Sequence, residues 1–204
     1  AIEQMHAAEW PDRYQGEWPG FYLEYRLDRY LRDQRRQQVV AFQKSKTRDS
    51  FDFDLIFPAV GFEIDYYGDL KASNITVTES LGNDAEDLNE CLRQFGRFWY
   101  VIYEHETWHG KDERDQPTIA WNEWKRTVGY ANRKGYDPLS YRTRFKSAVR
   151  FTSMKILEVN EANKHIVLGD FRQGQQQSGA AREPKVKIMK KDIDNFLIYS
   201  EAIT

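Results

Sequence analysis

The stretch from Phe51 to Ser73, FDFDLIFPAVGFEIDYYGDLKAS, decides how the rest of the chain is read. Its first part alternates apolar and acidic residues, Pro58 to Gly61 marks a turn, and the second part is again rich in aromatic and β-branched residues. That pattern predicts two adjacent strands joined by a short connection. Asp52 and Asp54 are two apart and leave the same face of a strand; Asp69 and Lys71 repeat the spacing on the next. Two such strands would bring three carboxylates and one ammonium together.

The flanking sequence surrounds this hairpin with helices and further strands. Phe21, Leu23, Leu27, Tyr30 and Leu31 recur at helical spacing, which predicts a helix over about 20–36. A helix from about Asp84 follows the hairpin, with Asn83 or Asp84 as N-cap, Glu86 and Asp87 in the first turn, and a stripe of Leu88, Cys91, Leu92 and Phe95. It runs into WYVIYEHETW, a buried strand. A second helical pattern covers 117–134. The last third reads as a strand over Phe151 to Val159, a strand over His165 to Leu168, a long polar loop, a strand over Val186 to Ile188, and a helix from Asp192 to Ile203. The fold expected is α/β (α+β), one domain over 1–204, with a mixed central β-sheet flanked by helices.

The 204 residues are 40% hydrophobic and 15% aromatic, enough to exclude a disordered chain. Lys and Arg number 30 against 32 Asp and Glu, a net charge of −2. Any contact with nucleic acid must therefore come from local charge rather than a basic excess. Cys91 is the one cysteine, which excludes an internal disulfide and a cysteine-built zinc site and points to a reducing, cytoplasmic setting. No apolar run approaches the roughly 18 residues that cross a bilayer, so no membrane partner is expected. His105 and His109, with Glu104 and Glu106, lie where a strand ends and lack the helical frame of a zinc motif. Trp121 and Trp124 read as core or dimer packing.

Closely packed carboxylates raise one another's pKa and need a cation, and hard oxygen ligands suit Mg²⁺. A lysine beside them can hold an attacking water. This arrangement resembles that of the PD-(D/E)xK nucleases, in which one strand opens with an acidic residue and the next carries Asp/Glu-x-Lys, here Asp69, Leu70 and Lys71. Closer still is the similarity to the EcoRV-type type II restriction endonucleases. Asp52 to Leu55 resembles that family's strand start, and D-x-K is followed by the small residues Ala72 and Ser73. FYLEY (21–25) resembles the helix that carries a further Glu, and HIVLGDFRQGQQQSGAA resembles the family's strand, Gly-Asp corner and polar recognition loop.

The resemblance implies a restriction-endonuclease-like core with Asp52 and Asp69 as the metal-binding pair, Lys71 positioning the nucleophilic water, and Glu24 as an auxiliary acid. Phe51 stands where the pattern has Pro, and Asp54 stands where it has a neutral residue, so Asp52 and Asp54 compete for one role. They lie 17 and 15 positions before Asp69, and spacing does not choose between them. Asp52 is favoured because Phe53 and Leu55 then fall in register.

DNA-contacting loops are expected at about 43–50 and 170–183. Lys44, Lys46 and Arg48 would meet phosphates in the first. In the second, Arg172, Gln173, Gln175, Gln176, Gln177, Ser178 and Arg182 are of the types that read base edges, with Gly174 and Gly179 permitting close approach. Arg142, Arg144 and Lys146 alternate and could line phosphates. The expectation is a homodimer that hydrolyses double-stranded DNA at a short palindrome with one or two Mg²⁺ per site, cuts blunt, and works beside a cognate DNA methyltransferase. Alternatives are another nuclease of the same core, a repair nickase or junction resolvase, and a non-catalytic DNA-binding protein.

Overall fold

A computed structural model describes residues 1–11, 13–14, 16–35, 41–42, 54–57, 66–109, 116–128, 146–172 and 183–203. Two helices open the chain, α1 (Ile2–Ala7) and α2 (Trp18–Asp33). Pro19 sits in the first turn of α2, where its missing N–H costs nothing, and Arg32 in the last turn complements the helix dipole. The strands β1 (Ala41–Phe42), β2 (Leu55–Phe57), β3 (Tyr66–Asn74) and β4 (Glu79–Asp84) follow, then helix α3 (Ala85–Phe95). Asp84 is the N-cap residue of α3, as expected, and Gly96 ends it at φ 75°, a conformation open to glycine.

Beyond α3 come β5 (Arg97–His109), α4 (Gln116–Thr127), β6 (Lys146–Asn160), the single turn α5 (Lys164–Val167), β7 (Leu168–Phe171), β8 (Lys185–Met189) and β9 (Leu197–Ala202). Among the described residues the central sheet has six strands in the order β1-β2-β3-β5-β6-β9. It is mixed: β3 and β5 run parallel, and every other neighbouring pair is antiparallel. The parallel pair requires a crossover, and β4 with α3 supplies it. A second sheet of three antiparallel strands has the order β4-β8-β7.

The central sheet is covered on both faces. On one face Leu55, Phe57, Leu70 and Val101 pack with Leu23 and Leu27 of α2. On the other, Phe98, Tyr100 and Ile102 of β5 meet Leu88, Cys91 and Leu92 of α3 and Val186 and Ile188 of β8. No helix among the described residues is long and apolar enough to cross a membrane.

Three expectations need correction. His165 to Leu168 is not a strand but mostly the turn α5, because Asn163 takes over the chain: its carbonyl accepts from Ile166 and Val167 N–H, and its side chain ties back to the Glu158 carbonyl at 2.8 Å. Pairing then continues through Gly169 and Asp170, which lie inside β7 rather than at a corner. The stretch from Asp192 to Ile203 is not helical. It holds short 3-10 turns at Lys190–Asp192 and Asp194–Phe196 and then β9. The long strand β6 presents an edge, and pairing with it outweighs local helical preference. Residues 129–134 of the expected helix lie outside the described residues.

Candidate functional site

The hairpin fixes the acidic residues through its register. Leu55 pairs with Gly68, so one step further Asp54 stands opposite Asp69. The two ends interlock: Asp54 N–H donates to Asp69 Oδ1 at 3.2 Å, and Leu70 N–H donates to Asp54 Oδ2 at 3.0 Å. Asp69 is buried at 2% exposure, and its other oxygen is ion-paired with the Lys71 ammonium two residues on. Asp54 is half-buried.

Electrostatics bind four groups into one unit. Burial first, then the charges of Asp69 and Glu24, push Asp54 well above the usual carboxylate range, and Lys71 only partly offsets them. Burial pulls Lys71 down, yet Asp69, Asp54 and Glu24 outweigh it and hold the ammonium above its ordinary value. The neighbouring carboxylates thus favour the charged form of Lys71, which makes it a hydrogen-bond donor in this cluster. Glu24, on α2, acts on both.

Sequence reasoning missed Tyr100. The parallel register places it beside Asp69, and burial and then the Asp69 charge drive its phenol well above the ordinary value. Parallel pairing across a crossover leaves no signal in the sequence around Tyr100. A cavity of about 310 Å³ opens next to Lys71, lined also by Glu17, Ser73, Ser80, His105 and Lys146. His105 is buried in β5 and bonds Thr107 Oγ1 at 2.9 Å, in line with the expectation that it belongs to no helical zinc motif.

Glu24, Asp54, Asp69 and Lys71 thus come together. Asp52 lies outside the described residues, as do Lys44, Lys46, Arg48, Gln173, Gln175, Gln176, Gln177, Ser178, Arg182, Arg142 and Arg144. Arg172 is exposed just after β7, and Lys146 opens β6 in an ion pair with Glu17. Trp121 is buried, consistent with core packing. No family model, curated protein or solved structure matches this chain.

Proposed function

We propose that the chain is a Mg²⁺-dependent endonuclease that hydrolyses phosphodiester bonds in double-stranded DNA through a PD-(D/E)xK-type site on the β2–β3 hairpin. The observation that carries this reading is the interlocked Asp54–Asp69 pair with Lys71 bound to it and Glu24 acting on both strands. Charge packed this way is costly without a cation. Mg²⁺ keeps several waters and is held by one or two carboxylates together with substrate phosphate. Asp54 and Asp69 fit that demand, with Glu24 in support. Among the described residues no group of three or more His, Cys, Asp or Glu side chains is placed to hold a metal ion, so the proposed ion rests on Asp54 and Asp69 together with water and substrate.

Bound there, Mg²⁺ would supply Lewis-acid polarisation of the phosphate. The chain's own part is positioning. Asp54 takes the role opposite Asp69 that the sequence pattern left between it and Asp52. Lys71, fixed as an ammonium, donates to the attacking water or to a phosphate oxygen and stabilises charge that grows as water adds to phosphorus and one P–O bond breaks. The proton passes to a carboxylate or to solvent. Read with the sequence resemblance, this is an EcoRV-type restriction endonuclease: a homodimer with a restriction-endonuclease-like core, a palindromic site, a blunt cut and a cognate methyltransferase.

The test is incubation of the protein and of Lys71→Ala with phage DNA and Mg²⁺. Discrete fragments from the parent alone support restriction. Random nicking or junction-specific cutting moves the reading to a repair nickase or resolvase. No Mg²⁺-dependent cleavage of any DNA overturns it.

A further inference from the structure

The cavity beside Lys71 is lined by a second lysine, Lys146, the first residue of β6. Two consecutive residues at the start of α2 hold both ends of it. The buried Trp18 donates its indole N–H to the Lys146 carbonyl at 2.9 Å, and the Glu17 carboxylate pairs with the Lys146 ammonium. Antiparallel pairing with His109 of β5 fixes the main chain further.

The two partners of this ion pair differ in setting. The Lys146 side chain is 17% exposed and the Glu17 side chain 75%. The cation therefore belongs to the wall of the cavity, and the anion lies against it from the water side. Glu17 takes the N-cap position of α2, yet its side chain makes no bond to the helix start and is turned to Lys146 instead. The charge of Lys146 is felt inside the cavity at the buried His105. Burial and then the Lys146 charge pull that imidazole below its ordinary value, and the opposing effect of the Glu17 charge is smaller. Glu79, the other acid lining the cavity among the described residues, is held by Lys187 at 3.0 Å.

A carboxylate resting on a lysine offers it the same charge and paired oxygens as a phosphodiester. A pair with one partner in solvent is weakly held and screened by salt. A phosphate on a strand already engaged at Lys71 arrives tethered, at high local concentration, and has the advantage in exchange. We infer that Lys146 grips a backbone phosphate of the DNA strand whose neighbouring phosphate lies at Lys71, and that Glu17 is a resident stand-in which this phosphate displaces. The assignment rests on the DNA substrate proposed above. Lys146 then binds substrate, and Glu17 restrains binding until a strand fills the cavity.

The experiment is fluorescence anisotropy of a short fluorescein-labelled duplex of random sequence, titrated with the full chain in EDTA so that binding is read apart from cleavage. Lys146→Gln should weaken binding about threefold to tenfold and lower the slope of log affinity against log salt by about 1. Lys146→Arg, which keeps the charge, should bind like the parent. Glu17→Gln should tighten binding about threefold, because the ammonium loses its competitor. In the Lys146→Gln background the same change should do nothing, since the carboxylate then has no cation to release. An ion pair that only braces the fold would not move binding in opposite directions from its two ends. Glu17→Gln binding no tighter than the parent, or tightening equally with and without Lys146, overturns the inference. So does a parent that holds no duplex. Mg²⁺-dependent cutting by a parent whose variants break this pattern removes the phosphate contact alone, and the full pattern in a protein that cuts no DNA removes the nuclease reading alone.

Discussion

Asp54 shows how one residue can be costly and useful at once. Burial and two neighbouring carboxylates disfavour its ionised form, so without metal it is a liability to the fold. Asp54→Asn keeps an oxygen to accept the Leu70 N–H and sheds the charge. In EDTA the variant should melt about 2–4 °C above the parent. Added Mg²⁺ should stabilise the parent and leave the variant unmoved in a calorimetric scan, and DNA cleavage should be lost. Lys125 makes a related case away from the site. It is 1% exposed with its ammonium 3.7 Å from the Trp121 ring centre, and burial lowers its pKa to about 8 from 10.5. The folded chain binds fewer protons than the unfolded one in that window, so this group's contribution to stability rises as pH climbs from 8 toward 10.5. Lys125→Met should be more stable than the parent at pH 7, and urea titrations should show the advantage shrinking up to pH 10.

At the scale of elements, the hairpin depends on a glycine. A Cβ on Gly68 would come within 2.6 Å of the Trp99 carbonyl oxygen and 2.7 Å of the Phe57 ring. The ring can turn aside; the carbonyl belongs to β5 and cannot. Gly68→Ala should cost about 1–3 kcal/mol in urea unfolding and should loosen β2 from β3 next to Asp69. Elements whose own pattern sets their faces were legible from sequence. Leu88, Cys91 and Leu92 place α3, and the alternation through Asp69 and Lys71 places β3 with both side chains on one face. Elements set by distant partners were not. β9 exists because β6 offers an edge, α5 because Asn163 holds the turn, and β4 because β8 lies beside it. Of the candidate site, Asp69 and Lys71 on one face of β3 were legible for the same reason that α3 was, whereas the sequence reading favoured Asp52 and it is the β2–β3 register that sets Asp54 opposite Asp69. Tyr100 comes from across a parallel pairing that sequence does not announce.

For the whole molecule, the joint between the two sheets matters most. Lys190, at the end of β8, reaches Glu104 of β5 at 2.7 Å and the Asn74 carbonyl of β3 at 3.0 Å, and Lys155 holds Glu104 at 3.0 Å. Burial pushes Glu104 up, but its bonds to Lys190 and Lys155 outweigh that and leave it below its ordinary value of 4.5. Its stabilising contribution is therefore full above that value and fades as pH falls through the lowered one. Glu104→Gln should cost about 1–2 kcal/mol at neutral pH. The gap from the parent should close as pH falls through the lowered value in acid-unfolding curves followed by fluorescence.

The hydrogen bond from Leu70 N–H to Asp54 carries a consequence for amide exchange. That proton, in the interior of the central sheet, is guarded by a side chain rather than by the neighbouring backbone. Its flanking ladder amides in β3 should exchange with deuterium only when the molecule unfolds globally, whereas Leu70 should exchange whenever the Asp54 carboxyl swings away. One amide thus serves as a clock for how often the acidic pair separates. Loading with Mg²⁺ should change its protection while leaving the rest of the strand as it was.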